Sequence, residues 1–193
     1  LGMTGFSPAW LKVREAADSA ARHPAVLKAC AAAFSGRGSL AVCDVGAGTG
    51  ASIRAFADLL PGRQTWTLVD HDAANLAAAG TALKRWADRT EGDQHTLILR
   101  HGARRIEVVR VRHDLAPQPH CWRAGIDLVV ATAFLDLASA EWIGRFVGEL
   151  AADRLPLLAT LTFDGTLALD PPHRLDAAIA AAGKGAPAAQ DVT

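Results

Sequence analysis

The sequence has no run of about 18 consecutive apolar residues, which is the length that a membrane-spanning helix needs. Its start shows no succession of basic, apolar and small residues of the kind found in secretory signal peptides. Net charge is also absent: 20 Lys and Arg residues balance 20 Asp and Glu residues, so no overall field draws the protein towards nucleic acid or a membrane. We therefore expect a cytoplasmic protein with no membrane partner.

Cysteine is scarce, and its three residues lie far apart in the chain, as Cys30, Cys43 and Cys121. No pair has the spacing of zinc ligands, and three is an odd number for a disulfide framework. We expect reduced thiols that pack as small apolar side chains, and no metal site. Internal repeats are absent too, and 193 residues is a usual length for one domain with a buried core.

Residues 40–50 are the most informative stretch of the sequence. An apolar run long enough for a buried strand, residues 40–45, is followed by three glycines that alternate with small residues, and a helical pattern begins at Ala51. A strand, a glycine turn and a helix in this order open many nucleotide-binding α/β domains. Glycine permits the tight turn and lets a ligand approach the backbone without meeting a Cβ atom. The three glycines are Gly46, Gly48 and Gly50.

Asp44 separates two interpretations of this turn. The glycine spacing is G-x-G-x-G, and Ala51 also completes the G-x-G-x-x-A form of the dinucleotide fingerprint, so spacing alone does not choose a ligand. A negative charge two residues before the first glycine does not help to bind a pyrophosphate. It suits a ligand with a cationic centre and an amino group, so Asp44 argues against NAD.

A second strand is predicted over residues 65–70, and it also ends on a carboxylate, Asp70. An acidic side chain at this position can accept hydrogen bonds from both hydroxyls of a ribose. NAD-binding domains use the same contact, so Asp70 predicts a nucleoside without choosing between cofactors. We expect Asp72 to cap the helix that follows.

Apolar periodicity and turn residues predict alternating helices and strands for the rest of the chain. We expect helices over residues 8–22, 24–34, 51–60, 73–89, 140–152 and 171–183, and further strands over 96–100, 104–112, 125–132 and 155–163. The fold class is therefore α/β, with a doubly wound, mostly parallel sheet and two added N-terminal helices.

The strands over residues 96–100 and 104–112 form either a hairpin or one added strand beside the third core strand. This basic β-hairpin carries five arginines and one glutamate between Arg100 and Arg112. A solvated strand face accounts for such a charge run, and a surface that contacts phosphates is the alternative.

The acidic residue and three alternating glycines of residues 44–50 resemble motif I of the class I S-adenosylmethionine (SAM) methyltransferases. Further positions match in order, each at a predicted strand end: Asp70, Asp114 and the strand over residues 127–133. The resemblance covers about residues 40–163. Longer phrases, such as Leu-Val-Asp-His-Asp at residues 68–72, look like a poorly characterised bacterial branch of these enzymes.

The resemblance implies a Rossmann-like fold with SAM as the cofactor. It implies cofactor contacts from the glycine turn and from the ends of the second, third and fourth core strands, where Asp114 reaches the adenine amino group and Leu115 packs on the ring. The implied cofactor-binding residues are Asp44, Gly46, Ala47, Gly48, Thr49, Gly50, Asp70, His71, Asp114, Leu115, Ala131, Thr132 and Ala133.

In-line displacement at a sulfonium methyl group requires mainly proximity, orientation and a dry site from the protein, because the leaving group is already activated. A base is needed only when the acceptor must lose a proton. His71, His113, Asp136 and Asp164 lie at predicted strand ends or just beyond them, and each alone is more often a cap or a cofactor contact than a base. Among them, Asp136 and His113 are the candidate catalytic residues.

The resemblance also implies a role for the N-terminal helices, which in these enzymes commonly cover the cofactor and part of the acceptor pocket. It draws attention to Trp10, Arg14 and Asp18. In the alternative interpretation, Trp10 belongs to the core, and Arg14 and Asp18 form a surface ion pair four residues apart.

We expect one SAM-binding domain with three parts: an N-terminal helical cap (1–39), a core (40–163) and a C-terminal segment (164–193). The family's final antiparallel strand pair is not recognisable in the last part. Either residues 166–169 are what remains of it, or residues near 182–184 are missing from the sequence.

The function expected from the sequence is methyl transfer to a small-molecule acceptor, on the grounds of zero net charge and apolar N-terminal helices. The first alternative is an RNA methyltransferase that uses the basic hairpin at residues 100–112. The others are a NAD-type oxidoreductase and a catalytically silent SAM-binding module that regulates a partner. The sequence specifies neither the acceptor atom nor an oligomeric state.

Overall fold

A computed structural model describes residues 6–93, 96–163, 171 and 173–185. Its helices are α1 (Pro8–Ala21), α2 (Pro24–Phe34), α3 (Ala51–Phe56), α4 (Ala73–Trp86), α5 (Ala140–Ala152) and α6 (Asp176–Gly185). Its strands are β1 (Ser39–Val45), β2 (Arg63–Asp70), β3 (Arg89–Gly92), β4 (Thr96–His101), β5 (Arg104–Arg112), β6 (Leu128–Thr132) and β7 (Leu157–Thr160). Two short 3₁₀ turns, Ala57–Leu59 and Leu135–Leu137, follow α3 and β6.

Side-chain caps fix where four of the described helices begin. The side chains of Ser7, His23, Asp72 and Ser139 each accept a hydrogen bond from a backbone N–H in the first turn of α1, α2, α4 and α5. Both α1 and α2 also begin with proline, at a position where no N–H donor is needed. The predicted cap at Asp72 is therefore confirmed.

The seven described strands form one sheet in the order β3-β4-β5-β2-β1-β6-β7. The five strands β5, β2, β1, β6 and β7, taken in their order in the sheet, run parallel to one another. Strand β4 is antiparallel to β5, and β3 is antiparallel to β4. The predicted doubly wound, mostly parallel sheet is confirmed, and the predicted basic hairpin is β4–β5.

The direction in which the chain adds strands reverses at β1. From β1 the chain passes to β2 and β5 on one side, and later to β6 and β7 on the other. Open α/β sheets bind their ligands in the crevice at the carboxyl ends of the strands where this reversal occurs. Val45 lies level with Val69 of β2 and Ala131 of β6, so the residues after Val45 enter that crevice.

Helices cover both faces of the sheet, and alternate residues of each strand pack against opposite helix layers. On β1, Leu40 and Val42 join a core cluster that includes side chains of α2, α3 and α4, whereas Cys43 and Val45 join a second cluster with α5. Because Asp44 follows the same alternation as Val42, its side chain faces α3.

Strand β3 was not predicted from the sequence. Its four residues are all exposed, and β4 is its one partner among the described strands, so it has no apolar alternation by which a pattern could reveal it. The predicted helix over residues 73–89 ends instead at Trp86, and the chain turns into this edge strand.

The predicted length of the helix over residues 51–60 is also wrong. It ends at Phe56 and continues as the 3₁₀ turn Ala57–Leu59. The amide of Gln64 donates to the carbonyl oxygens of Ala57 and Pro61, which ties the 3₁₀ turn to the start of β2.

The predictions near the C-terminus have a mixed outcome. Strand β7 is shorter than predicted, and α6 begins at Asp176 and passes through Gly183, where we expected a helix to end. The predicted features at Asp164 and at residues 166–169 lie outside the described residues.

The three cysteines are free thiols, and Cys43 is fully buried with its Sγ atom 3.9 Å from that of Cys121. No described helix has both the length and the apolar composition that a bilayer crossing requires. In the same part of the chain, His, Cys, Asp and Glu side chains do not gather in groups of three that could hold a metal ion.

Candidate functional site

The turn after β1 is built from left-handed backbone. Gly46, Gly48 and Gly50 have φ angles of +65°, +52° and +71°, a region that residues with a Cβ atom seldom adopt. The N–H of Ala47 donates to the carbonyl oxygen of Val69 on β2, at 2.9 Å, and so ties the turn to the neighbouring strand. The predicted glycine turn is thereby confirmed at the carboxyl edge of the sheet.

Two of these glycines are also close to side chains. A Cβ atom on Gly46 would lie 2.4 Å from Cδ2 of Phe134, and one on Gly48 would lie 3.0 Å from Cδ1 of Leu11. Phe134 follows β6, and Leu11 belongs to α1. The glycine turn is therefore enclosed by α1 on one side and by the segment after β6 on the other.

Asp44 is almost completely buried, with 1% of its surface exposed. Its Oδ1 accepts a hydrogen bond from Ser52 Oγ at 3.1 Å, and its Oδ2 is buried with no hydrogen-bond partner among the described residues. Burial raises the pKa of Asp44 to about 7; the Ser52 hydrogen bond lowers it in part, the charge of Asp70 raises it and that of Arg22 lowers it. A buried oxygen without a partner is costly in a folded protein, so this carboxylate fits a ligand that supplies a donor.

Asp70 ends β2 and holds the backbone of two turns. Its Oδ2 accepts from the N–H of Gly48 and its Oδ1 from the N–H of Asp72, both at 2.8 Å. A carboxylate has about four acceptor positions, so two remain for ligand hydroxyls. His71, the next residue, is exposed, with Nδ1 3.6 Å from Asp70 Oδ1.

A chain of hydroxyl groups links Asp44 to the last two strands. Ser52 Oγ lies 3.4 Å from Thr132 Oγ1, which lies 3.1 Å from Thr160 Oγ1. After Thr132 the backbone turns sharply at Ala133, which has a φ angle of +50° although it is not glycine. This strained turn ends β6 at the crevice and is the kind of feature that persists at ligand sites.

Helix α1 is fastened to the glycine turn by one arginine. Arg54 of α3 donates from Nε and Nη2 to Glu15 Oε1, at 2.9 and 2.7 Å. Its Nη1 donates to the carbonyl oxygens of Thr49 and Gly50, at 3.0 and 3.3 Å. Because α1 contains no buried residue, this ion pair is a main attachment of the helix to the site.

The predicted site residues after β5 lie at the same edge of the sheet. The N–H of His113 donates to the carbonyl oxygen of Asp70, and the Nε2–H of His113 donates to the carbonyl oxygen of Gln118, at 3.0 Å each. Asp114 is exposed and accepts from the N–H of Ala116. Leu115 is buried in the α5 core cluster; its predicted contact with an adenine ring, like that of Asp114, stays a prediction.

The other predicted residues lie at or just beyond the end of β6. Ala131 is fully buried in the strand, whereas Asp136 lies exposed on the 3₁₀ turn that follows. Arg14 and Asp18 form the ion pair expected within α1, with Nε and Oδ2 2.9 Å apart. Trp10 is 52% exposed, so it does not belong to the core.

Sequence patterns did not single out several residues that shape this site. Ser52 lacks any motif of its own, and Glu15 and Arg54 are 39 positions apart, so no local pattern could pair them. Two surface hollows, of about 330 and 410 Å³, are lined by other parts of the chain, the first by α2 and residues 59–61 and the second by residues 120–126 with 153 and 155. The site is recognised by its polar groups, not by an open cavity.

No protein-family model matches the chain, and no curated protein matches it. Three solved structures that it resembles are the plantazolicin methyltransferase BpumL in complex with S-adenosylhomocysteine (SAH), the YcgJ protein of Bacillus subtilis, and a protein of Methanococcus maripaludis with a provisional assignment as a SAM-dependent methyltransferase. Their identities to this chain are 10%, 17% and 15%, and their TM-scores are 0.45, 0.45 and 0.46.

The matches cover 77%, 71% and 76% of this chain but only 44%, 50% and 60% of the three structures. The chain thus spans about half the length of the solved structures it matches. At these TM-scores the likeness identifies neither a ligand nor an activity of this chain.

Proposed function

We propose that the protein is a SAM-dependent methyltransferase acting on a small-molecule acceptor. The observation that carries this proposal is Asp44: a buried carboxylate with one oxygen unpartnered, placed immediately before the glycine turn at the reversal point of the sheet. A pyrophosphate next to Asp44 would be repelled, whereas the α-ammonium group of SAM would supply the missing donor. This distinguishes SAM from NAD as the ligand.

The nucleoside end of the ligand fits the carboxyl end of β2, the strand beside β1. Asp70 keeps acceptor positions free after binding the N–H groups of Gly48 and Asp72, and we assign these to the ribose hydroxyls. The absence of side chains at Gly46 and Gly48 lets the turn between Asp44 and Asp70 adopt its left-handed backbone, with Phe134 and Leu11 packed closely against it.

When bound, SAM supplies a methyl group on a sulfonium centre that is transferred by in-line displacement. The chain's own contribution is to orient the ligand and to exclude water. Thr132 and Ala133 at the end of β6 border the crevice, and the ring of Phe134 packs directly on Gly46. Helix α1, held by Glu15 and Arg54, covers the turn from the other side.

His113 is the better placed of the two candidate bases. A carbonyl oxygen can only accept, so the contact between His113 Nε2 and the oxygen of Gln118 fixes the proton on Nε2. The neutral imidazole then keeps an unprotonated Nδ1, which can accept a proton from an acceptor group. Asp136, exposed on the turn after β6, remains the second candidate.

Two features support a small acceptor. The net charge is zero, and the exposed apolar side chains of Phe6 and Trp10 lie at the start of the helix that covers the turn. Such a surface suits an uncharged or apolar acceptor better than a polyanion. A cytoplasmic location, where SAM is made and used, belongs to the same proposal.

The arrangement of the basic hairpin does not favour RNA. Because β5 runs parallel to β2, the turn that joins β4 and β5 lies at the amino edge of the sheet, opposite the glycine turn. Arg104 is bound by Asp58, with Nη1 and Oδ1 3.0 Å apart, and Arg110 donates to the carbonyl oxygen of Leu76. Arg112, at the ligand edge, donates to the carbonyl oxygen of His71.

Isothermal titration with SAM, SAH, NAD⁺ and NADH tests the cofactor. We expect micromolar binding of SAM and SAH and none of the dinucleotides; binding of NADH alone would contradict the proposal. The matched pair of variants is Asp44→Asn, expected to weaken SAH binding, and Asp58→Asn, an exposed carboxylate at the opposite edge that is expected to leave it unchanged.

Transfer of labelled methyl groups from SAM to fractionated cell extract tests the acceptor class. Label in the small-molecule fraction supports the proposal. Label in the RNA fraction, with substrate binding that weakens steeply with salt, would establish the RNA alternative instead. Tight SAM binding with no label in any fraction would identify a silent binding module.

A further inference from the structure

A cluster of six charged side chains lies beside the glycine turn, contributed by α1 with the residue that follows it, by α3 and by β1. Its members influence one another electrostatically or form ion pairs. Three are positive and three are negative: Arg14, Arg22 and Arg54, and Glu15, Asp18 and Asp44.

The ion pairs within this cluster involve four of its six side chains. Arg14 binds Asp18, with Nε and Oδ2 2.9 Å apart, and Arg54 binds Glu15, with Nη2 and Oε1 2.7 Å apart. Each remaining charge, Arg22 and Asp44, has no ion-pair partner within 4.0 Å among the described residues.

Arg22 is buried to the same degree as an apolar core residue. It is 6% exposed, and within the part of the chain that the structure describes its Nε atom is buried without a hydrogen-bond partner and its Nη1 reaches only Ser19 Oγ, at 3.4 Å. Its guanidinium carbon lies 5.5 Å from the ring centre of Phe56. Burial lowers the pKa of Arg22, and the nearby carboxylates, including Asp44, partly offset this.

Two unpaired buried charges of opposite sign destabilise a fold unless something else pairs with them. Arg22 and Asp44 are near enough to interact electrostatically but do not form a direct ion pair in the described chain. A molecule that carries an anion and a cation on adjacent atoms would satisfy both at once. An α-amino acid group has this pattern of charges.

We propose that Arg22 and Asp44 form a zwitterion site that holds the amino-acid end of the cofactor, with Arg22 binding the α-carboxylate and Asp44 the α-ammonium group. This inference rests on the proposed function and adds to it a cofactor-binding residue outside the glycine motif. The planar guanidinium suits a carboxylate, which it can bind through two parallel hydrogen bonds. Because Arg22 immediately follows α1, ligand binding would also draw the end of that helix onto the site.

The test compares ligands that differ only at the amino-acid end. SAH carries both charges, 5′-S-(3-aminopropyl)-5′-thioadenosine lacks the carboxylate, and 5′-methylthioadenosine lacks the whole group. Each is titrated calorimetrically into the wild type, Arg22→Met, Arg22→Lys and Arg14→Met. Arg14→Met is the matched control, because it removes an arginine of the preceding helix α1 that is already paired with Asp18.

We expect removal of the carboxylate from the ligand to weaken binding to the wild type about 10- to 100-fold. Arg22→Met should weaken SAH binding by a similar factor. The variant should bind the carboxylate-free ligand no more weakly than it binds SAH, and its affinity for 5′-methylthioadenosine should equal that of the wild type. Arg22→Lys should lie between the wild type and Arg22→Met for SAH alone. Arg14→Met should match the wild type for all three ligands.

Other results would overturn the inference in distinguishable ways. If the wild type binds SAH and the carboxylate-free ligand equally, or if Arg22→Met weakens all three ligands alike, Arg22 does not bind the carboxylate, while the proposed cofactor stands. If the wild type binds none of the three, the proposed function fails as well. The comparison of ligands on the wild type does not depend on whether any variant folds.

Discussion

Glu15 accepts two hydrogen bonds from Arg54, and the same guanidinium group donates to the carbonyl oxygens of Thr49 and Gly50. One side chain thus joins the first helix to the glycine turn. Arg54 is 13% exposed and Glu15 33% exposed, so solvent screens the pair only in part. Since α1 has no buried residue of its own, its position over the turn depends on contacts of this kind.

We expect Glu15→Gln to raise the dissociation rate of SAH several-fold, because α1 would no longer be held over the turn by an ion pair. The free energy of unfolding should fall by about 1 kcal/mol or less, as is usual for a partly exposed pair. Stopped-flow displacement and urea denaturation measure the two effects. Asp18→Asn is the control: it breaks the Arg14 pair within the same helix but does not touch the turn, and an equal rise in its dissociation rate would contradict the role of Glu15.

Gly46→Ala and Gly48→Val, two substitutions in the glycine turn, should differ in their main effect. Gly46→Ala places a Cβ atom 2.4 Å from Phe134, whose ring is packed edge-on against Trp142 and cannot easily move. We expect a loss of about 2–4 kcal/mol in the free energy of unfolding, from the clash and the positive φ angle together. Urea denaturation measures it.

Gly48→Val should act on the ligand as well as on stability, because its branched side chain is strained at a φ angle of +52° and would push against Leu11 beside the turn. We expect SAH binding to fall at least 30-fold, by titration calorimetry. Gly144→Ala on α5, where a Cβ atom meets nothing within 4 Å, should stabilise the protein slightly and leave binding unchanged. Unaltered affinity in Gly48→Val would mean that the turn is not the ligand site.

Asp44→Asn should change stability and binding in opposite directions. Between the ordinary carboxyl pKa of 3.8 and the folded-state value of about 7, the folded protein holds a proton that the unfolded chain has lost. The Asp44 contribution to the free energy of unfolding therefore falls as pH rises through this window, by up to about 1.4 kcal/mol per pH unit. The asparagine variant lacks this pH-dependent contribution. Its free energy of unfolding, compared with that of the wild type, should therefore increase from pH 5 to pH 8.

For the wild type, SAH affinity should be constant above about pH 8 and weaken below about pH 7, because a protonated Asp44 does not attract an ammonium group. Arg22 is the positive group and Asp70 the other negative group that act on Asp44. Titration calorimetry from pH 5.5 to pH 8.5 measures the profile. The same pH dependence in Asp44→Asn would assign it to another group.

Asp70→Asn should weaken the adenosine end of the site. The amide keeps a single acceptor oxygen, so it loses one of the N–H groups of Gly48 and Asp72 as well as acceptor positions for a ribose. We expect SAH and 5′-methylthioadenosine to bind at least tenfold more weakly and to a similar extent, with a loss of about 1–3 kcal/mol in the free energy of unfolding.

The control for Asp70→Asn is Asp72→Asn, which makes the same chemical change two residues later. Asparagine caps helices about as well as aspartate, so α4 should keep its start and ligand binding should be unaffected. Weaker binding of SAH only, with 5′-methylthioadenosine unchanged, would place Asp70 at the amino-acid end and contradict its assignment to the ribose.

Local sequence patterns were enough to predict one part of this protein. Apolar runs located the core strands, three glycines located the turn, and the strand ends placed Asp44 and Asp70 at one edge of the sheet. Asp72 marked a helix start for the same reason, since a cap acts within one turn of its own helix.

Features that depend on burial and on contacts between distant segments appear first in the folded chain. Strand β3 exists because β4 offers it an edge, although its own residues are all exposed. The Glu15–Arg54 pair and the hydroxyl chain from Ser52 to Thr160 join residues far apart in the chain. Arg22 shows the difference most clearly: in the sequence it is one arginine among many, and in the folded chain it is buried, close to Asp44 and without an ion-pair partner among the described residues.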